Sequence, residues 1–192
     1  MPLHRRAALT AAIFLLALAP ADAAAQGAQG PPDPYRTPVP ALIERYRTEL
    51  ETPSLHMRSE TRGVLIAMLT GHEVTVPPGR LTSLLAGLEA LVRSGVSSEV
   101  RADAASLVAI AGEADLPDPR PAVTARVIRL YREVDDELVR RTLMASMPRQ
   151  ADRDRALAFL REIAEQEKDS FPEESWDAIR MLVSAGPDGQ AR

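Results

Sequence analysis

The sequence predicts an all-α fold, an α-solenoid of about four stacked helix pairs. Three observations carry this reading. Apolar residues recur at the three-and-four spacing of one helix face through most of the chain. Proline and glycine breaks cut that pattern into eight segments. The second helix of each pair begins in a similar way, and these beginnings recur roughly every 40 residues, the mark of a stacked helical repeat.

Composition bounds the rest. The chain has 192 residues, 45% hydrophobic and 26% charged, enough for one or two globular domains. Aromatics are 4%, so the core must come from Leu, Val, Ile, Met and Ala. Without cysteine there is no disulfide, thiol nucleophile, thiolate metal site or lipidated cysteine. A formal net charge of −4 argues against nucleic acid as a partner.

Taken in order, residues 1–25 look like a signal peptide. A basic head, MPLHRR, precedes an apolar run from Ala7 to Ala19 and a stop at Pro20. Small residues with A-x-A spacing then offer cleavage after Ala23 or Ala25. The run of 13 is shorter than the roughly 20 residues a spanning helix needs, so no stable membrane insertion is expected after cleavage. Lys168 is the only lysine among many arginines, alanines and prolines, which points to a GC-rich bacterial genome. The expected location is periplasmic or secreted. Residues 26–40, QGAQGPPDPYRTPVP, read as a Pro/Gly-rich flexible leader.

The helical repeat domain is expected over 41–186, with helices near 40–52, 54–70, 79–94, 97–113, 119–134, 136–148, 152–168 and 173–185. Leu81, Leu84, Leu85, Leu88, Leu91 and Val92 form one stripe. Val100, Ala104, Leu107, Val108 and Ala111 form another, as do Val123, Val127, Leu130, Tyr131 and Val134, and Ala156, Phe159, Leu160 and Ile163. The brief alternation EVTV at 73–76 is too short to make a sheet. Pro119 and Pro121 sit where a first helical turn loses nothing by a missing N–H. The polar residues 187–192 are expected to be a disordered tail.

The second helices begin SLHMR, SSEVR, DELVR and EESWD, a polar start followed by an apolar anchor. Ser and Asp there suit N-capping. The anchors Met57, Val100, Val139 and Trp176 are 43, 39 and 37 residues apart. The segments EVRADAASLVAIAG and ELVRRTLMASMP resemble the second helix of HEAT repeats, with Val100-Arg101 and Val139-Arg140 as the Val-Arg pair. The resemblance covers about 40–186 and implies a right-handed α-solenoid. It also implies an acid just before that helix pairing with the arginine, a pattern Asp136 and Arg140 match. Trp176 is expected to pack back on Phe159 or Leu160.

No catalytic motif emerges. His72-Glu73 is followed by Pro77, so the helix of a two-histidine zinc protease is missing. His56, His72, Glu60 and Glu73 read as surface polar groups. Met57, Met68, Met144, Met147 and Met181 fall at apolar stripe positions and read as core filler rather than copper ligands. No G-x-S-x-G and no phosphate-binding glycine loop appears. Arg126, Arg129, Arg132, Arg153, Arg155 and Arg161 are mixed with acids and read as a solvated helix face, where Arg126→Ala should change little. The expectation is a non-catalytic scaffold for a protein or peptide partner, without a cofactor. Its partner-binding face would carry Arg62, Arg101 and Arg140. The alternative is a metal or enzymatic site around the 71–79 loop, GHEVTVPPG.

Overall fold

A computed structural model describes residues 33–52 and 55–166, with the backbone alone for 55–59. The described residues form seven α-helices and no strand. These are α1 (Val39–Glu51), α2 (Leu55–Thr70), α3 (Pro78–Val92), α4 (Ser98–Ile110), α5 (Pro121–Glu133), α6 (Glu137–Ser146) and α7 (Arg153–Gln166). Short 3-10 turns cover Pro34–Arg36 and Met147–Arg149. The all-α expectation holds, and 73–76 is irregular loop. The segment expected as a helix at 173–185 lies outside the described residues, as do 1–25 and 187–192.

Local chemistry sets the helix starts. Prolines occupy the first turn of α1, α3 and α5, where no N–H is needed. The Ser97 hydroxyl accepts from the Val100 amide at the start of α4, and an Asp136 carboxylate oxygen accepts from the Val139 amide at the start of α6.

Three boundaries differ from the periodicity. The helical unit begins at Pro34, not at 41. Tyr35 and Val39 pack against the core, and Arg80 donates to the Thr37 carbonyl, so the last part of the 26–40 stretch is folded. Helix α5 starts at Pro121 rather than 119, because Arg120, preceding a proline, is held out of helical backbone. Helix α4 ends at Ile110 rather than 113, where the chain turns to meet the 147–151 segment. There the Ala114 amide donates to the Arg149 carbonyl and the Ala151 amide to the Gly112 carbonyl, each at 2.8 Å. Gly112 is needed at this approach. A Cβ on it would lie 2.5 Å from Gln150 Oε1 and 2.9 Å from Val123 Cβ.

Most of the described helices pack on a sequence neighbour and on one further along: α1 on α2 and α3, α2 on α4, α4 on α3, α5 and α6, and α5 on α6 and α7. Helix α4 is the most enclosed element, with no fully exposed residue from Val100 to Gly112. Its small Ala102, Ala104, Ala105 and Ala109 are buried and let neighbours come close. The anchors Val100 and Val139 are buried as expected. Leucines dominate the core, joined by Tyr46 and Tyr131. Each fully buried large aliphatic side chain contributes roughly 1.5–3 kcal/mol.

Five of the polar contacts between pairs span 38 to 41 residues. Arg62 to Asp103 spans 41 residues, Ser98 to Asp136 spans 38, and Arg93 to Glu133 spans 40. Glu89 to Arg129 spans 40, and Gln150 to the Ala109 carbonyl spans 41. These values match the period of the helix beginnings.

Candidate functional site

Arg62, Arg101 and Arg140 each lie on a second helix, and each is engaged inside the chain. Arg62 Nε donates to Asp103 at 3.0 and 3.1 Å. The same carboxylate accepts from the Tyr46 hydroxyl. Burial, and then the charge of Asp103, push that hydroxyl far above the ordinary phenol range, so it remains a donor. Arg101 donates to the Val92 carbonyl at 2.7 Å and to Asp136 at 3.1 Å. Arg140 donates to the Tyr131 hydroxyl at 2.9 Å and lies over that ring at 4.4 Å.

The acid before α6 therefore serves the preceding helix pair. Asp136 accepts from Ser98 at 2.6 Å and from Arg101, while Arg140, one turn on, turns to Tyr131. The Ser98 hydrogen bond, helped by the Val139 amide and the Arg101 charge, holds Asp136 below the ordinary aspartate range.

The arginines of the first helices are organised too. Glu89 of α3 is 5% exposed. It takes Arg126 at 2.7 Å, Arg129 at 2.9 Å and Arg93 at 3.5 Å. The expectation that Arg126 sits on a merely solvated face is corrected, because its partner is a buried carboxylate. Nothing in the stripe of α3 signals this. Glu89 is enclosed by α5, a helix about 40 residues away in sequence.

A concavity lies between α5 and α7, a groove of about 560 Å³. Ala125, Ile128, Ala158 and Phe159 form its floor, and Arg129, Arg132, Glu133, Arg155 and Glu162 its walls. The spacing 125, 128, 129, 132 on α5 and 155, 158, 159, 162 on α7 sets two helix ridges side by side. Phe159 is fixed edge-on against Tyr131, with ring centres 5.1 Å apart. Arg132 lies over Phe159 at 5.8 Å, and its Nη2 donates to both oxygens of Glu162 at 3.0 and 2.8 Å. Arg155 Nε is 3.5 Å from Asp152. A second hollow, about 390 Å³, lies beside Leu138, with Ser98, Asp136, Glu137 and Arg141 around it. Leu138 is the one large apolar side chain exposed among the described residues.

The 71–79 loop is mostly exposed at His72 and Glu73. Among the described residues no three His, Cys, Asp or Glu side chains converge as a metal site. Met68, Met144 and Met147 are buried in the core. His56, Met57, Trp176 and Met181 lie outside the described side chains. No described helix is long and apolar enough to cross a membrane.

The groove residues were readable only as scattered charge. Arg129, Arg132 and Arg155 stand out once α5 and α7 are side by side. No protein-family model matches the chain, and no curated protein or solved structure matches it either.

Proposed function

We propose that this chain is an exported, non-catalytic HEAT-like scaffold that holds a protein or peptide partner in the bacterial cell envelope. The observation that carries it is that several polar contacts between helix pairs span near 40 residues, the period of the helix beginnings. Such contacts are what a stack of helix pairs makes, each unit touching its neighbours. An extended surface built this way offers grooves between parallel helices, and groove binding is how stacked repeats take up partners. Export is supported by the basic head, the 13-residue apolar run and the A-x-A sites.

The test is copurification of the chain from the envelope fraction of a bacterial host. A stable partner present in stoichiometric amount, and lost on washing with competing peptide, is the expected result. A chain that elutes alone, and binds nothing in a mixed peptide library, overturns the scaffold reading.

A further inference from the structure

The turn after α4 and the segment before α7 are held together by a small clasp. The Ala114 amide donates to the Arg149 carbonyl and the Ala151 amide to the Gly112 carbonyl. Glu113 and Gln150 face each other in this isolated antiparallel bridge. Gln150 is fully buried, and its Nε2 donates to the Ala109 carbonyl at 3.0 Å. The clasp thus ties the approach to α7 onto the end of α4.

One group in the clasp is poorly provided for. The Glu113 side chain is 15% exposed, and its Oε1 is buried without a hydrogen bond. Arg149 Nε comes within 3.0 Å of that oxygen but is not aligned to donate to it. The Arg149 side chain is 65% exposed, and a guanidinium so well solvated offsets little of the cost of burying a carboxylate. Asp115 adds a like charge from the same turn. Among the described residues, Arg149 and Asp115 are the charged groups that bear on Glu113, and the residue facing it, Gln150, is neutral. Burial, opposed by Arg149 and helped by Asp115, holds the Glu113 carboxyl above the ordinary glutamate range.

We propose that Glu113 is a proton-operated latch: the clasp is shut while this carboxyl is protonated, and its ionisation favours parting of residues 149–151 from 112–114. A carboxylate freed from the clasp regains water, so the open form gives up its proton more readily than the shut form. The shut form is fully favoured below the ordinary glutamate value of 4.5. It loses that advantage as pH rises from there through the raised value, the reverse of the behaviour of Asp136. The latch follows from the fold alone and does not depend on the scaffold reading. In a chain exported as proposed above, it would answer to the pH of the surroundings.

The experiment is amide hydrogen exchange, followed by NMR on the full chain over a series from about pH 4 to about pH 8. Each rate is divided into that of an unstructured peptide at the same pH. The protection of Ala114 and Ala151 in Glu113→Gln, which keeps the shape and removes the charge, should match wild type at the acid end. It should exceed wild type about threefold or more at the alkaline end. Arg149→Ala, which keeps the backbone carbonyl of the clasp, should move the loss of protection to higher pH. Asp115→Asn should move it to lower pH. The side-chain carboxyl carbon of Glu113 should titrate above the ordinary value in the wild-type chain, in step with the loss of protection.

These shifts together support the latch. A carboxyl that titrates at the ordinary value overturns it, as does protection that does not change with pH or a pH dependence that Glu113→Gln retains. Exchange of Ala114 and Ala151 only in step with Leu107 of α4 also overturns it, because the clasp would then open only when the whole chain unfolds. Should Glu113→Gln fail to fold, the wild-type titration and the two charge variants still decide.

Discussion

Glu89 is a single buried carboxylate shared by three guanidinium groups, and removing its charge leaves them without a common acceptor. Glu89→Gln is expected to destabilise by about 1–3 kcal/mol, less than a fully buried pair because the arginines reach water. Arg126→Ala should cost about 1 kcal/mol, since Arg129 and Arg93 still hold the carboxylate. Urea denaturation of both variants reads this directly. Asp136 makes a prediction in pH. Its folded carboxyl titrates below the ordinary value of 3.8. The stabilisation it brings is therefore fully present above that value and is lost as pH falls through it and below. Asp136→Asn should lower the melting temperature at pH 7, and the gap from wild type should close in strong acid. A gap that stays constant down to the acid limit would show that the Asp136 charge is not the source.

At the level of elements, the stripes of apolar residues were enough to place the helices. Leu84, Leu85, Leu88, Leu91 and Val92 are buried in α3, and Ala156, Phe159, Leu160 and Ile163 in α7. Helix ends were legible where proline or an N-cap marks them and illegible where a distant segment intervenes. Gly112 ends α4 because Gln150 lies against it, and Gln150 is 38 residues further on. The same limit hid the groove, since no local pattern says which faces of α5 and α7 will be neighbours. Arg62 and Arg101 could be marked as important from the repeat, but Asp103 and Val92 as their partners could not. Val100→Asp or Val139→Asp would bury an unpaired charge in a joint between helices. Each should cost several kcal/mol, against a total stability of about 5–15. Gly112→Ala forces apart the contact with Gln150 and Val123 and should cost about 1–3 kcal/mol. Thermal melts of the three rank them, and wild-type behaviour of the two valine variants would place those positions on the surface.

For the whole molecule, the helix content has a spectroscopic consequence. Far-ultraviolet dichroism of the purified chain should be dominated by α-helix with no resolvable β component, as the seven helices require. The exported form is expected to begin at Ala24 or Gln26, following cleavage after Ala23 or Ala25. N-terminal sequencing of protein recovered outside the cytoplasm decides this, and a retained Met1 would count against export by cleavage.

The enclosure of α4 fixes where the molecule opens. A helix wrapped on every side can exchange its amide hydrogens with solvent only when its neighbours have already parted. The amides of Leu107, Val108 and Ala109 should thus be among the slowest to take up deuterium, at a rate set by global unfolding. Those of α1, which packs on fewer of the described helices than α4 does, should exchange through smaller openings that leave α4 shut. Mild denaturant should speed exchange in α1 before it reaches the enclosed amides of α4.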